Sequence, residues 1–216
     1  AASVLLACAW LAGCSSGLRS SEPAIVSYVL RTPQDQRVVA DTSAVAASSQ
    51  RAPAGPSLMV LEPVVAPGLA SDGIALLTGD GRLDRYAGSR WADELPRVVA
   101  DLAVHTLRAS PAISSVIDKA SPFAADYVLR LDVTNFEARY AGTQANGAET
   151  PNVMVRFECT LARRDDRSIV ASFVASGAQE ATQNRMGSVV AAFDAATRTA
   201  LVELRQKTLA ALATPR

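Results

Sequence analysis

The second half of the chain runs on a period of two. Tyr127, Leu129, Leu131 and Val133 alternate with Arg130, Asp132 and Thr134, and beyond Asn135 the apolar phase shifts to Phe136, Ala138 and Tyr140. Such alternation predicts a strand with one buried face, and a phase shift inside it predicts a bulge near Asn135. Val153, Val155, Phe157, Cys159 and Leu161 alternate with Arg156, Glu158 and Thr160; Ile169, Ala171, Phe173 and Ala175 repeat the pattern after a charged turn at Arg163-Arg164-Asp165-Asp166. The period then lengthens. From about Ser188 to Ala213 the residues Val189, Phe193, Ala196, Ala200, Leu204 and Thr208 share one helix face, widened by Leu201 and Leu212.

The first half is less regular. Ile25 to Arg31, with Tyr28-Val29-Leu30 at its centre, predicts a first strand. Leu58 to Val65 is apolar on both faces, as a central strand is, and Pro63 and Pro67 mark its end. Ile74–Leu77 and Arg82–Tyr86 flank Thr78-Gly79-Asp80-Gly81, a hairpin turn. A helix follows, with Asp93 placed to cap it and Pro96 in the first turn, where a missing N–H costs nothing. Leu95, Val98, Val99, Leu102 and Thr106 line one face, Pro111 stops the run, and Ile113–Ile117 predicts a short edge strand. Ala40 to Ser57 is rich in Ala, Ser, Pro and Gly and reads as a mobile loop, since neither flank makes a core alone. The order strands, helix, strands, helix predicts one α+β domain over 25–213. It is a two-layer sandwich: a mainly antiparallel sheet covered on one face by two amphipathic helices.

Ahead of this domain stands a different kind of segment. Ser3 to Leu11 is a short apolar run closing on Leu11-Ala12-Gly13-Cys14. Crossing a hydrocarbon core of about 30 Å takes ~20 apolar residues, so the run fits the h-region of a secretory signal peptide instead. Leu-Ala-Gly-Cys resembles the lipobox of bacterial lipoproteins, which implies cleavage between Gly13 and Cys14 and acylation of the Cys14 thiol. On this reading residues 1–13 are a signal peptide whose charged n-region is missing. Residues 14–24, with Ser15, Ser16, Gly17, Ser20 and Ser21, are then a lipidated flexible tether. Ser15 rather than Asp after the lipidated Cys resembles the pattern sorted to the outer membrane. The expected location is its periplasmic face.

Composition narrows the function. Lys plus Arg and Asp plus Glu are 21 each, leaving no net charge to draw the chain to nucleic acid or anionic lipid. With Cys8 in the signal segment and Cys14 lipidated, Cys159 has no disulfide partner and reads as a small buried hydrophobe. His105 is the single histidine and reads as a partly buried or edge residue; no Gly-x-Ser-x-Gly elbow accompanies it. One His and one free Cys cannot furnish a zinc set. Gly79-Asp80-Gly81 lacks the ending of a P-loop and the later Glu of an EF-hand. No catalytic residues, cofactor or metal site are expected beyond the covalent lipid.

Several segments, in order, resemble the ABC-type transport auxiliary lipoprotein component family, which includes the PqiC-like lipoproteins. They are the lipobox, Tyr28-Val29-Leu30, Leu58 to Val65, the stretch Tyr86-Ala87-Gly88-Ser89-Arg90-Trp91-Ala92-Asp93-Glu94-Leu95-Pro96, and Asp126-Tyr127-Val128-Leu129-Arg130-Leu131 through Phe136-Glu137. The resemblance implies a non-catalytic subunit that docks a periplasmic MCE-domain protein, with its ABC permease and ATPase, at the outer membrane for lipid transport. It leaves a homo-oligomer open. Trp91, with Leu95, then has two readings: a core anchor between sheet and helix, which is preferred, or an exposed contact for the partner. The rival functions are an activator of a cell-wall synthase and a lipid-binding shuttle. A shuttle calls for a wide apolar interior, whereas the frequent Ala on both helices suggests close packing.

Overall fold

The computed structural model describes residues 24–31, 55–118, 121–143 and 149–214. In chain order its elements are β1 (Val26–Tyr28), β2 (Ser57–Val60), β3 (Val64–Val65), β4 (Gly73–Leu77), β5 (Leu83–Trp91), α1 (Leu95–Arg108), β6 (Ser115–Asp118), β7 (Tyr127–Arg139), β8 (Asn152–Arg163), β9 (Ile169–Glu180) and α2 (Met186–Ala213). The fold is an α+β sandwich with a mixed, mostly antiparallel open sheet.

The long ladders are the ones the alternation predicts. β7, β8 and β9 form an antiparallel meander in which Leu131, Cys159 and Phe173 stand in one cross-strand row and Val133, Phe157 and Ala175 in the next. The register shifts between Val133 and Asn135, so the phase change in the sequence is a bulge. The other edge of β7 is shared. β2, β3 and β4 each pair with a different part of it in parallel, β6 adds to β2, and β1 adds in parallel to β5. β6 is an edge strand, as the short Ile113–Ile117 run suggests.

Both helices contribute to one core with the inward rows of the sheet, and they touch each other. All six stripe residues of α2, Val189 to Thr208, are buried, as are Leu95, Val99, Leu102 and Thr106 of α1. The opposite face carries ion pairs along each strand, Arg130–Asp132 at 2.8 Å and Arg156–Glu158 at 3.8 Å.

Four expectations are corrected. Leu58 to Val65 is two strands, because Pro63 has no N–H to give the ladder; Leu61 and Ala66 rejoin β7 through N–H bonds to Leu129 and Val133 carbonyls. β5 runs past Tyr86 to Trp91, carried through a left-handed residue at Gly88 (φ 66°) that interrupts the alternation. Asp93 does not cap α1. Glu94 holds the N-cap position without a side-chain bond, Leu95 N–H bonds the Ser71 carbonyl at 3.1 Å, and Asp93 accepts from Glu94 N–H at 2.7 Å. Finally, Ser57 belongs to β2 rather than to a loop: its N–H and hydroxyl both reach Asp126 Oδ2 at 2.7 Å. These bonds hold the Asp126 carboxyl below the usual carboxylate range, the Ser57 N–H foremost. The rest of the 40–57 stretch, up to residue 54, lies outside the described residues.

Candidate functional site

Trp91 closes β5 and is 2% exposed. Its ring meets Phe193 edge-on at 5.1 Å and Phe136 at 6.0 Å, and those two rings stack at 5.4 Å. Leu95 is equally buried. The structure therefore places both candidate partner anchors inside the core, where they join β5, β7, α1 and α2. The backbone around them is fixed by Trp91 N–H on the Asp72 carbonyl (2.6 Å) and Ala92 N–H on the Tyr28 carbonyl (2.9 Å).

The Phe136-Glu137 pair meets the same node. Glu137 is 3% exposed, although alternation alone would point it outward. Its carboxylate accepts from Phe136 N–H at 2.6 Å, Asn135 Nδ2 at 3.0 Å and Arg139 Nε at 2.9 Å. It thus binds a donor just past the bulge, and a buried carboxylate is tolerable only when paired and hydrogen-bonded in this way. Its role was invisible in the sequence, because only the bulge geometry creates the need for it.

The surface beside this node is a groove of about 280 Å³ between the β1 segment and α1. Tyr28, Val29, Leu30, Val98 and Leu102 give it apolar walls, and Asp93, Asp101 and His105 also line it. His105 is exposed, and neither serine nor cysteine lines the groove beside it. The arrangement can bind an apolar group. In and beside β1, Ile25, Val26 and Val29 are 59%, 48% and 70% exposed. The end of this segment is tied down by Arg31 N–H on Asp194 Oδ1 at 2.8 Å.

The remaining candidates are placed as follows. Cys159 is 2% exposed, and burial pushes its thiol up to about 12. The Gly79-Asp80-Gly81 stretch is a turn closed by Thr78 N–H on the Arg82 carbonyl at 3.0 Å, with Gly81 at φ 82°. Among the described residues no group of three His, Cys, Asp or Glu could hold a metal ion, and no helix is long and apolar enough to cross a membrane. Gly13 and Cys14 lie outside the described residues.

Comparison with known proteins completes the assignment. The family model described as ABC-type transport auxiliary lipoprotein component matches residues 39–212. This chain belongs to that family. A Xanthomonas campestris protein of known crystal structure is similar to this family member at 27% identity and a TM-score of 0.64, over 74% of this chain and 86% of that one. A second crystal structure, of an uncharacterized protein, shares the fold at 17% identity and a TM-score of 0.58, over 71% of this chain and 92% of its own. The comparison with curated proteins found no match. In this family member the buried Trp91 node serves as scaffold, while the groove and the β1 segment are exposed.

Proposed function

We propose that this auxiliary lipoprotein is the non-catalytic docking subunit of an MCE/ABC-type lipid transport system, anchored by acylated Cys14 to the periplasmic face of the outer membrane. The observation that carries the reading is the family match over residues 39–212, joined to the Leu11-Ala12-Gly13-Cys14 lipobox ahead of it. Cleavage before Cys14 and acylation of its thiol would hold the domain at the bilayer, each buried methylene adding about 0.8 kcal/mol. Ser15 favours sorting to the outer membrane. The domain would then present a rigid sheet-and-helix body to the periplasmic MCE-domain protein, while the permease and ATPase remain separate subunits.

The test is affinity purification of the full-length lipoprotein from crosslinked, detergent-solubilised envelopes. Recovery of an MCE-domain protein with its ABC subunits is the expected result. Recovery of a peptidoglycan synthase in their place would replace transport with activation of cell-wall synthesis. One lipid retained per chain in native mass spectrometry would favour a shuttle.

A further inference from the structure

Of the large hydrophobic side chains exposed among the described residues, Ile25, Val26 and Val29 are adjacent in one short segment; Val64, Leu83, Phe123 and Ile169 stand singly. Scattered exposed apolar residues need no explanation, but a cluster does. Among the described residues β1 is also the terminal strand of its branch of the sheet, paired to β5 on one side only.

We propose that the β1 patch of Ile25, Val26 and Val29 rests on the membrane that carries the chain's own lipid, fixing which end of the domain faces the bilayer. This rests on the reading of Cys14 as the acylated residue. The argument comes from where the chain enters the fold. Ala24 lies ten positions after Cys14, so even a fully extended chain keeps the root of β1 within about 35 Å of the lipid. The patch begins at the next residue. Tethering converts a contact too weak to recruit a free protein into an intramolecular one at high effective concentration, so three side chains are enough to orient the domain.

Charge and backbone define the kind of contact. The three side chains are uncharged, but charges of both signs border them: Arg90 donates to Ser27 Oγ at 3.2 Å and pairs with Asp72, Arg31 ends the segment, and Asp93 and Asp101 line the adjoining groove. With both signs at its border, the patch has no electrostatic reason to select anionic headgroups over zwitterionic ones. Among the described residues the outer edge of β1 has no strand neighbour, and unpaired backbone groups cannot enter hydrocarbon. The contact stays at headgroup depth.

The experiment uses the full-length lipidated protein in phosphatidylethanolamine–phosphatidylcholine vesicles. An environment-sensitive fluorophore is attached at Val29→Cys or, as control, at Phe123→Cys. Lipid blocks the thiol of Cys14, and Cys159 is buried, so the introduced Cys takes the label. A blue shift at position 29 is expected, with quenching stronger from a nitroxide near the headgroup than from one near the chain terminus. Position 123 should show neither, and added phosphatidylglycerol should not strengthen the signal. Equal behaviour at 29 and 123 in a protein shown by mass spectrometry to be acylated overturns the inference alone. Absence of acyl mass on Cys14 removes the anchor reading and the inference with it. A photo-crosslinker at position 29 that captures a protein in intact envelopes instead of lipid makes the patch a protein interface and overturns it too.

Discussion

At Trp91 the sequence allowed two roles, and burial among Phe136, Phe193 and the start of α1 gives the residue a packing task. Removing a fully buried indole leaves a cavity between two layers that cannot collapse without moving β5. Trp91→Ala should cost about 3–5 kcal/mol in urea unfolding. A variant that melts like the parent while losing its partner would instead mark a contact residue. Cys159 allows a test with a definite sign. Its folded thiol ionises near 12, above the ordinary thiol range, so between those values the unfolded chain has released a proton that the folded chain keeps. Its burial therefore adds stability fully below the ordinary thiol range and loses it progressively as pH rises towards about 12. Lys and Tyr titrate in the same window, so the useful quantity is a difference. Between about pH 8 and pH 10.5 the parent should lose more of its urea midpoint than Cys159→Ala does.

Among the elements, those governed by a local period could be read directly from the chain. β7, β8, β9 and α2 each repeat one rule over many residues, and even the bulge near Asn135 announced itself as a phase shift. The parallel additions of β1, β2 and β4 could not be read in this way, because each pairing joins segments far apart in sequence and is chosen by the assembled core. The expected cap at Asp93 failed for a similar reason: the Ser71 carbonyl, remote in sequence, already satisfies Leu95 N–H. Glu137 was missed because its partners are created by the bulge. The approach of β9 to α2 is another property that exists only between elements. A Cβ on Gly177 would lie 2.0 Å from the Ala196 carbonyl oxygen and 3.1 Å from Ala200 N, both backbone atoms of the helix. Neither can swing aside. Gly177→Ala should therefore destabilise by roughly 3 kcal/mol, the upper part of the overpacking range. Gly187→Ala, whose added methyl meets nothing within 4 Å, should be neutral or stabilise slightly; calorimetry of the pair separates close packing from a general cost of replacing glycine. The same contact explains why the Ala196–Ala200 portion of the α2 stripe is small. The helix sits on the strand with no room for a wide lipid cavity between them there.

At the scale of the whole molecule the proposed acylation of Cys14 separates the lipid from the domain. The described residues begin at Ala24, ten positions after the proposed lipid site, so on this reading anchoring and folding are separate properties of one chain. Cys14→Ser should accordingly leave the circular dichroism spectrum and melting temperature unchanged while moving the protein from the membrane to the soluble periplasmic fraction. Its effect on partner capture distinguishes two kinds of docking. If the domain binds the MCE assembly strongly by itself, the soluble variant should still co-purify with it. If the lipid supplies the local concentration and the β1 patch the orientation, each domain contact is individually weak, and capture should fall by a factor of about 10²–10⁴, the usual loss when a linked interaction is uncoupled. Trp91 and Leu95, the anchors read from the sequence, are buried and so not available to a partner, and the second outcome is expected. Full capture by soluble Cys14→Ser would show instead that the partner recognises the domain with high affinity and that the anchor serves only to place it.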